Sequence, residues 1–337
     1  MKKAIITGIT GQDGGYLAKL LLSKGYKVYG AQRRNTGLKH WRLDELGITD
    51  QIEFLDFDLG EPYNIEKTID KVQPDEFYNL AAQSFVGLSF EQPQVTTITN
   101  SLGVLNILEV IRNKYPKIKF YQASTSEMFG KVQETPQSET TRFYPRSPYG
   151  VAKCCSKVFA HNLCRNYRES YGLFACSGIL FNHESPMRGE EFVTRKITKG
   201  LVEYTKNGKV LELGNIESFR DWGHAEDYVE AMWLMLQQDE PDDYVISTGR
   251  TVSIKDFITL CLDELNLAYE FHGHEVIDTH TRKHIIKTNP KFFRPADVDL
   301  LVGDNTKARH KLMWRPKHTL ESMVKDMITE DLRRWKS

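Results

Sequence analysis

Three glycines at three-residue spacing constrain the fold more than any other feature of the chain. They are Gly8, Gly11 and Gly14, which follow an apolar run, Ala4–Thr7, and precede an amphipathic run, Tyr16–Ser23. Glycine allows a tight turn and lets backbone N–H groups approach a pyrophosphate, which the positive end of a following helix attracts. The pattern therefore predicts a strand, a phosphate-binding loop and a helix. The alternative is a glycine-rich turn without a ligand, which the position of the motif at the head of a strand–helix array disfavours.

Strand-like and helix-like runs alternate through the first half of the chain. Further predicted strands are Lys27–Ala31, Ile52–Phe57, Glu76–Leu80, Lys119–Ala123 and Phe174–Leu180, and predicted helices are Asn64–Val72, Leu102–Lys114 and Ser147–Tyr171. This order predicts right-handed βαβ units in an α/β fold, a Rossmann-type doubly wound parallel sheet with helices on both faces. Ligands of such sheets bind outside the carboxyl ends of the strands.

The regular alternation of predicted strands and helices ends after about Leu180. Helices are predicted at Phe192–Lys206, Ala225–Gln237, Ile254–Leu265 and Leu320–Trp335, whereas His272–Pro295 is the least regular stretch. We expect a Rossmann domain over 1–180, to which segments of about 215–250 return, and a smaller mixed α/β lobe over 181–337 that binds the substrate.

The end of the second predicted strand indicates which dinucleotide binds. A cofactor without a 2′-phosphate usually meets an Asp or Glu about 20 residues after the glycines. Here Arg33 and Arg34 stand at that point, and guanidinium groups favour a 2′-phosphate, so we expect NADP. Asp58 and Leu59 end the third strand, where they could contact the adenine. The small residues of the segment 80–84 let the backbone pass close to the cofactor.

A candidate catalytic set lies further along the chain. Tyr149 and Lys153 form a Y-x-x-x-K pattern, whose i,i+4 spacing places both side chains on one helix face. A lysine ammonium beside the phenol lowers its pKa and makes it a usable base. Thr125 and Glu127 follow the fifth strand, where the carboxylate adds a second acid–base group. Proton removal next to a carbonyl, followed by loss of a hydroxyl, requires such a group. A capping glutamate on a surface loop is the alternative.

The motifs together resemble the extended short-chain dehydrogenase/reductase superfamily. The blocks FYQASTSEMFG, NHESPMRG and RDWGHAEDYVEAMW narrow the resemblance to the GDP-mannose 4,6-dehydratase family, over essentially the whole chain from Met1 to the last predicted helix. The resemblance implies catalytic roles for Thr125, Glu127, Tyr149 and Lys153. It implies cofactor contacts for Gly8, Ile9, Thr10, Gly11, Gln12, Asp13, Gly14, Arg33, Arg34, Asp58, Leu59, Leu80, Ala81, Ala82, Gln83, Tyr149, Lys153, His183 and Arg188. It implies substrate contacts for Ser84, Thr125, Glu127, Asn182, Lys196, Arg220, Arg294 and Asp297.

The implied activity is that of a lyase: the redox-neutral dehydration of GDP-D-mannose to GDP-4-keto-6-deoxy-D-mannose with bound NADP. Asp297 stands where the family usually has Glu, so the same reaction on a GDP-heptose is an alternative. A keto-reductase or an epimerase of the same fold and a non-catalytic NADP sensor are further alternatives. The four candidate catalytic residues disfavour the sensor. The resemblance also implies a homotetramer built from dimers.

Composition excludes several other classes of function. Lys plus Arg and Asp plus Glu are both 45, so the chain lacks the basic excess of a nucleic-acid or membrane-surface protein. No apolar run approaches the length of a transmembrane helix. The five cysteines form no CxxC pair, which favours reduced thiols and a cytoplasmic location. His272, His274, His280 and His284 cluster near Asp278, but the implied reaction has no step for a metal, so we expect none.

Overall fold

A computed structural model describes residues 1–33, 40–82, 93–144, 155–292 and 301–335. Its largest element is a sheet of seven parallel strands in the order β11-β6-β5-β4-β1-β2-β3. These strands are β1 Lys3–Thr7, β2 Lys27–Gln32, β3 Glu53–Asp56, β4 Glu76–Asn79, β5 Lys119–Thr125, β6 Ala175–Leu180 and β11 Tyr244–Ile246. The predicted parallel α/β sheet is therefore confirmed.

Eleven helices are assigned within the described ranges. Their bounds are α1 Gln12–Ser23, α2 Trp41–Glu45, α3 Pro62–Val72, α4 Pro93–Thr97, α5 Gly103–Lys114, α6 Ser156–Tyr171, α7 Val193–Asn207, α8 Ala225–Gln237, α9 Ile254–Glu264, α10 Thr306–Lys311 and α11 Leu320–Trp335. A π-helical turn, Ile98–Leu102, joins α4 to α5. None of the helices in these ranges is long and apolar enough to cross a membrane.

Helices cover both faces of the large sheet. Successive side chains of a strand point to opposite faces, so both sets must be apolar. Ile6 and Tyr78 belong to one buried cluster with residues of α1 and α8, whereas their neighbours Ile5 and Phe77 belong to another with residues of α3, α5 and α6. Each predicted helix ends within one residue of its predicted last residue, whereas α2, α4 and α10 were not predicted. Gly25, for example, has φ +79° immediately after the last turn of α1.

The stretch predicted to be least regular is folded into a second sheet, so that prediction was wrong. Four strands lie in the order β13-β14-β15-β8: Tyr269–His272, Glu275–Asp278, His284–Thr288 and Leu211–Leu213. His272 pairs with Glu275 across a tight turn in which Gly273 has φ +60°. Val276, Ile285 and Ile286 are fully buried in a cluster with residues of α7, α9 and α11. Burial of these apolar side chains stabilises the strands 269–288, which we call the meander, although most of their residues are polar.

Two short two-stranded sheets complete the described strands. β7, Asn182–Glu184, pairs in parallel with β10, Trp222–His224, and β9, Phe219–Arg220, pairs antiparallel with β12, Val252–Ser253. β7 begins two residues after β6 ends. It therefore carries the chain from the carboxyl edge of the large sheet towards the second sheet.

Candidate active site

The candidate site lies at the carboxyl edge of the seven-stranded sheet, where most of the predicted residues meet. The strand order reverses between β1 and β4, so the loops that follow these two strands diverge there. The glycine loop follows β1, and Leu80, Ala81 and Ala82 follow β4. Loops at such a switch point form the usual cradle for a nucleotide.

The glycine loop has the geometry that close approach of a ligand needs. Gly8 has φ +69°, a left-handed conformation, and a Cβ there would lie 3.0 Å from the backbone nitrogen of Ala81. A Cβ on Gly14 would lie 2.3 Å from the carbonyl oxygen of Gly8 and 2.7 Å from Cα of Ile9. Any side chain at either position would fill the cradle or push α1 away from β1. The loop therefore fits a dinucleotide, as the motif predicts.

A buried polar chain that the motifs did not reveal joins the ends of β1 and β4 to the middle of β5. Oγ1 of Thr7 donates to Oδ1 of Asn79 at 2.7 Å and accepts the N–H of Ala81 at 3.0 Å. Nδ2 of Asn79 donates in turn to Oε1 of Gln122 at 2.8 Å. Thr7, Asn79 and Gln122 are almost fully buried, so these bonds hold β1, β4 and β5 in register beneath the site. The sequence feature that could have revealed this chain is a polar residue in each of three otherwise apolar strands.

The segment from Asn182 to Arg188 is fastened directly to the glycine loop. Nε2 of Gln12 donates to the carbonyl of His183 at 3.1 Å, and Oε1 of Gln12 accepts from Ser185 at 2.7 Å. Oδ2 of Asp13 lies 2.8 Å from Nε2 of His183. Two segments far apart in sequence thus contact each other directly, and the predicted cofactor residues Gln12, Asp13 and His183 lie together.

The contact between Asp13 and His183 shifts the pKa of both side chains. Burial alone would raise the pKa of Asp13, but the charge of His183 and its hydrogen bond outweigh burial and lower that pKa to about 2. Burial would lower the pKa of His183, but the charge and hydrogen bond of Asp13 raise it above its usual value. Each side chain therefore favours the charged form of the other.

Arg42 of α2, which the sequence did not point to, also connects the segment 182–188 to the glycine loop. Its Nε donates to the carbonyl of Met187 at 2.7 Å, and its Nη1 donates to the carbonyl of Thr10 at 3.1 Å. Arg188, a predicted cofactor contact, lies at the end of this segment. Its guanidinium stacks 3.7 Å from the ring centroid of Phe192, and its Nε lies 3.1 Å from Oε2 of Glu184. No short motif marks Arg42, because its partners are backbone carbonyls.

Thr125 and Glu127 stand together at the end of β5. Thr125 pairs with Leu180 of β6, and its Oγ1 accepts the backbone N–H of Glu127 at 3.3 Å. Both side chains are half-buried, whereas Met128 and Phe129 of the same turn are fully buried and anchor it. A hydroxyl and a carboxylate are thus held at the carboxyl edge, on a strand adjacent to β4.

Lys157 is a second residue that the motifs did not single out. It lies in the first turn of α6, is 5% exposed, and its Nζ donates to the carbonyl of Ala123 at 2.8 Å. The bond fixes the end of β5, two residues before Thr125. Lys157 thus supports the end of the strand that leads into the candidate catalytic threonine and glutamate.

The remaining predicted cofactor residues follow β2 and β3. Arg33 is exposed directly after β2, and Asp58 is exposed after β3. Leu59 is buried, and its carbonyl accepts from Asn106 at 3.0 Å. These positions place Arg33, Asp58 and the glycine loop at the same edge of neighbouring strands.

Two predicted substrate residues lie on the second sheet's side of the fold. Lys196 of α7 borders an open cleft of about 450 Å³, where its Nζ lies 3.3 Å from the ring centroid of Phe292. Burial lowers the pKa of Lys196, although the nearby Glu212 opposes the shift. Arg220 lies in β9, and its Nη1 donates to the carbonyl of Phe219 at 2.7 Å. The structure does not bring Lys196 into contact with the glycine loop in the described ranges.

Seven predicted residues lie outside the described residues. They are Arg34, Gln83, Ser84, Tyr149, Lys153, Arg294 and Asp297. The first part of the predicted helix Ser147–Tyr171 lies there too, up to Cys154.

The histidine cluster singled out in the sequence does not gather around one point in the described part of the chain. Nε2 of His272 lies 2.9 Å from Glu270, and Nδ1 of His284 lies 3.6 Å from Glu275. The one group with metal-ligand potential in the described ranges is His224, Glu226 and His318. The two imidazoles are stacked, with centroids 4.1 Å apart and planes at 22°, and a metal ion binds imidazole in the ring plane. Nδ1 of His224 accepts the N–H of Glu226 and so caps α8.

The parallel sheet, the switch point and the glycine cradle define a nucleotide-binding α/β protein of the Rossmann class. Solved structures share this fold. The dTDP-glucose 4,6-dehydratase of Bacillus anthracis in complex with NAD superposes with a TM-score of 0.81 at 20% identity, covering 100% of this chain and 98% of that one. RMD from Pseudomonas aeruginosa complexed with NADPH superposes with a TM-score of 0.77 at 22% identity, covering 99% and 100%.

Sequence comparison narrows the class. The family model described as GDP-mannose 4,6 dehydratase matches residues 5–327. A GDP-mannose 4,6-dehydratase of Vibrio cholerae is 47% identical over 354 residues, covering 98% of this chain and 94% of that relative. The chain therefore belongs to the GDP-mannose 4,6-dehydratase family, which is a family of hydro-lyases, and the predicted resemblance is confirmed.

Proposed function

We propose that the protein dehydrates GDP-D-mannose to GDP-4-keto-6-deoxy-D-mannose without net oxidation or reduction. The observation that carries the proposal is the placement of Glu127 and Thr125 in a chain of this family. The half-buried carboxylate stands at the carboxyl edge of the sheet, beside the loops that cradle a dinucleotide. A reductase of this fold has no use for a carboxylate there, whereas elimination of water needs one group that takes a proton and gives it back.

The cofactor in this proposal is NADP. A bound nicotinamide supplies the oxidation at C4 of the sugar and the compensating reduction at C6. The glycine loop would hold its pyrophosphate, and the exposed guanidinium of Arg33, with Arg34 beyond the described residues, would bind the 2′-phosphate. In the part of the β2 end that the structure describes, no carboxylate occupies the position that favours NAD.

The protein's own groups move the protons. Tyr149, with Lys153 lowering its pKa, takes the proton of the C4 hydroxyl. Glu127 then removes the C5 proton, which the neighbouring ketone has acidified. The same carboxyl group, helped by the hydroxyl of Thr125, protonates the departing C6 hydroxyl, so one molecule of water leaves. When C6 is reduced, C5 takes up one proton, which balances the proton that Tyr149 took from the C4 hydroxyl. Lys157 and the Thr7–Asn79–Gln122 chain keep the end of β5 in place during these steps.

The second lobe, 181–337, would bind the GDP moiety, while 1–180 and the returning segment of about 215–250 form the cofactor domain. Proposed substrate contacts in this lobe are Asn182, Lys196, Arg220, Arg294 and Asp297. We also propose a cytoplasmic homotetramer. Exposed apolar side chains on and beside α5 and α6 support the assembly, since Leu102, Phe159 and Tyr171 are 45, 43 and 49% exposed in the single chain.

Mass spectrometry of the products tests the proposal. The purified protein is incubated without reductant, in parallel with GDP-mannose and with GDP-D-glycero-D-manno-heptose. Loss of one water from GDP-mannose is the expected result. Loss of water from the heptose alone would keep the mechanism and change the substrate. If neither substrate loses water although the protein carries NADP(H), the dehydratase proposal is wrong and a keto-reductase is favoured.

A further inference from the structure

The glycine loop contains an acid where an anion is expected to bind. Asp13 lies in the first turn of α1, the end of the helix whose positive potential should attract the pyrophosphate. An uncompensated carboxylate at this position would repel a diphosphate. The inference that follows rests on the proposed binding of a dinucleotide to this loop.

His183 compensates this charge through both nitrogens of its ring. Nδ1 lies 2.7 Å from the carbonyl oxygen of Phe181, which can only accept, so Nδ1 carries a proton. Nε2 lies 2.8 Å from Oδ2 of Asp13, a carboxylate that also accepts. With an acceptor at each nitrogen, the ring is fully satisfied only as the imidazolium.

The surroundings of His183 hold the ring in this orientation. It stacks on Tyr228 of α8, with centroids 4.6 Å apart and planes at 23°. Three ionisable groups face the imidazole of His183: Tyr228, whose burial raises its pKa and keeps it neutral, the carboxylate of Asp13, and the guanidinium of Arg188 on the same segment. Arg188 opposes protonation of the ring, and Asp13 favours it. The histidine side chain is only 10% exposed, so solvent screens the pair weakly.

We propose that His183 is a positioning residue that cancels the charge of Asp13, so that the glycine loop presents only hydrogen-bond donors to the cofactor's diphosphate. His183 acts on the cofactor through Asp13, since both of its N–H groups are already used. Asp13 in return fixes the imidazole against the loop, and Gln12 fastens the backbone of His183 and the side chain of Ser185 beside it.

A double-mutant cycle on the dissociation constant of NADP⁺, measured by calorimetry, tests the proposal. His183→Gln keeps a donor for Asp13 but removes the positive charge. We expect it to weaken binding about ten- to hundredfold, the effect of one charge several ångströms from a diphosphate at an effective dielectric constant of roughly 20. Adding Asp13→Asn to His183→Gln should restore most of the lost affinity.

Asp50→Asn added to His183→Gln is the matched control. Asp50 is an exposed acid before the amino end of β3, at the opposite edge of the sheet, so its removal should restore nothing. A double variant Asp13→Asn/His183→Gln that binds as weakly as His183→Gln would overturn the proposal. Circular dichroism establishes that each variant is folded.

A second measurement uses the wild-type chain without cofactor. Nitrogen-15 NMR of the histidine side chains should show both nitrogens of His183 still protonated at a pH above about 6.5, where a free imidazole has lost most of its protons. A ring that loses its proton near its ordinary pKa of about 6.5 would contradict the charge pairing. This titration is independent of catalysis, so its failure is distinguishable from the failure of the proposed function.

Discussion

Two glutamates, one at the start of β4 and one just after the neighbouring strand β5, have opposite environments. Glu76 begins β4 at the amino edge and is 1% exposed. Its Oε1 accepts from Lys2 at 3.0 Å, from Tyr26 at 3.0 Å and from Gln237 at 3.2 Å, and its Oε2 accepts from Tyr78 at 2.8 Å. Both carboxylate oxygens are therefore committed to the fold.

Glu127 follows β5 at the carboxyl edge, is half-buried, and is held by its backbone bond to Thr125. Glu76 is enclosed by donors at the edge opposite to the ligand side of the sheet, whereas Glu127 is half-buried at the edge where ligands of such sheets bind. Two residues of the same type thus differ in burial and in position in the sheet, and these differences assign Glu76 to the fold and support the proposed catalytic role of Glu127.

The largest effect is expected from Glu127→Gln, which keeps the shape of the side chain and removes its acid–base function. Turnover of GDP-mannose should fall by roughly 10²- to 10⁴-fold, the usual contribution of a general acid–base group. The free energy of unfolding and the affinity for NADP⁺ should change little. Product formation is followed by mass spectrometry, and a variant with wild-type turnover would remove Glu127 from the mechanism.

Gly14→Ala should have the next largest effect, because the new Cβ would lie 2.3 Å from the carbonyl oxygen of Gly8. We expect the dissociation constant of NADP⁺ to rise about a hundredfold or more as α1 moves away from the loop. Gly25→Ala is the control. Gly25 has φ +79° with no atom within 4 Å of a Cβ, so alanine should cost about 1 kcal/mol of stability and leave cofactor binding unchanged.

Glu76→Gln should show the opposite pattern from Glu127→Gln. The amide replaces one accepting oxygen with a donor that faces hydroxyl and ammonium donors, so the free energy of unfolding should fall by about 2 kcal/mol. Turnover per folded molecule should stay at the wild-type value. Urea denaturation and steady-state kinetics on the same preparation decide the matter. Equal losses of stability and turnover would show that the two edges are not separable.

The smallest effect is expected from His272→Ala on the second sheet. His272 is exposed and forms a surface contact with Glu270, and such pairs contribute well under about 1 kcal/mol. Thermal unfolding and product formation should both match the wild type, and zinc should shift neither protein. A zinc-dependent rise in stability that the variant loses would return a metal site to this meander.

Much of the central sheet could be predicted from the sequence. The alternation of apolar runs located all seven strands but the last, and the glycine spacing located the first loop, because both signals depend on neighbouring residues. The stretch 272–295 was mispredicted because its apolar face is short and interrupted by histidines. Its order comes from packing on α7, α9 and α11, which a local pattern does not contain.

By itself the sequence determined the α/β class, the phosphate loop and the family, since these follow from local periodicity and from contiguous motifs. Tertiary structure alone decided which polar groups meet. Asp13 and His183 are 170 residues apart, and Thr7 and Asn79 are 72 apart. The order of the parallel strands brings these groups to one edge. That order is set by the crossovers that bury the sheet on both faces, so it is a property of the whole chain.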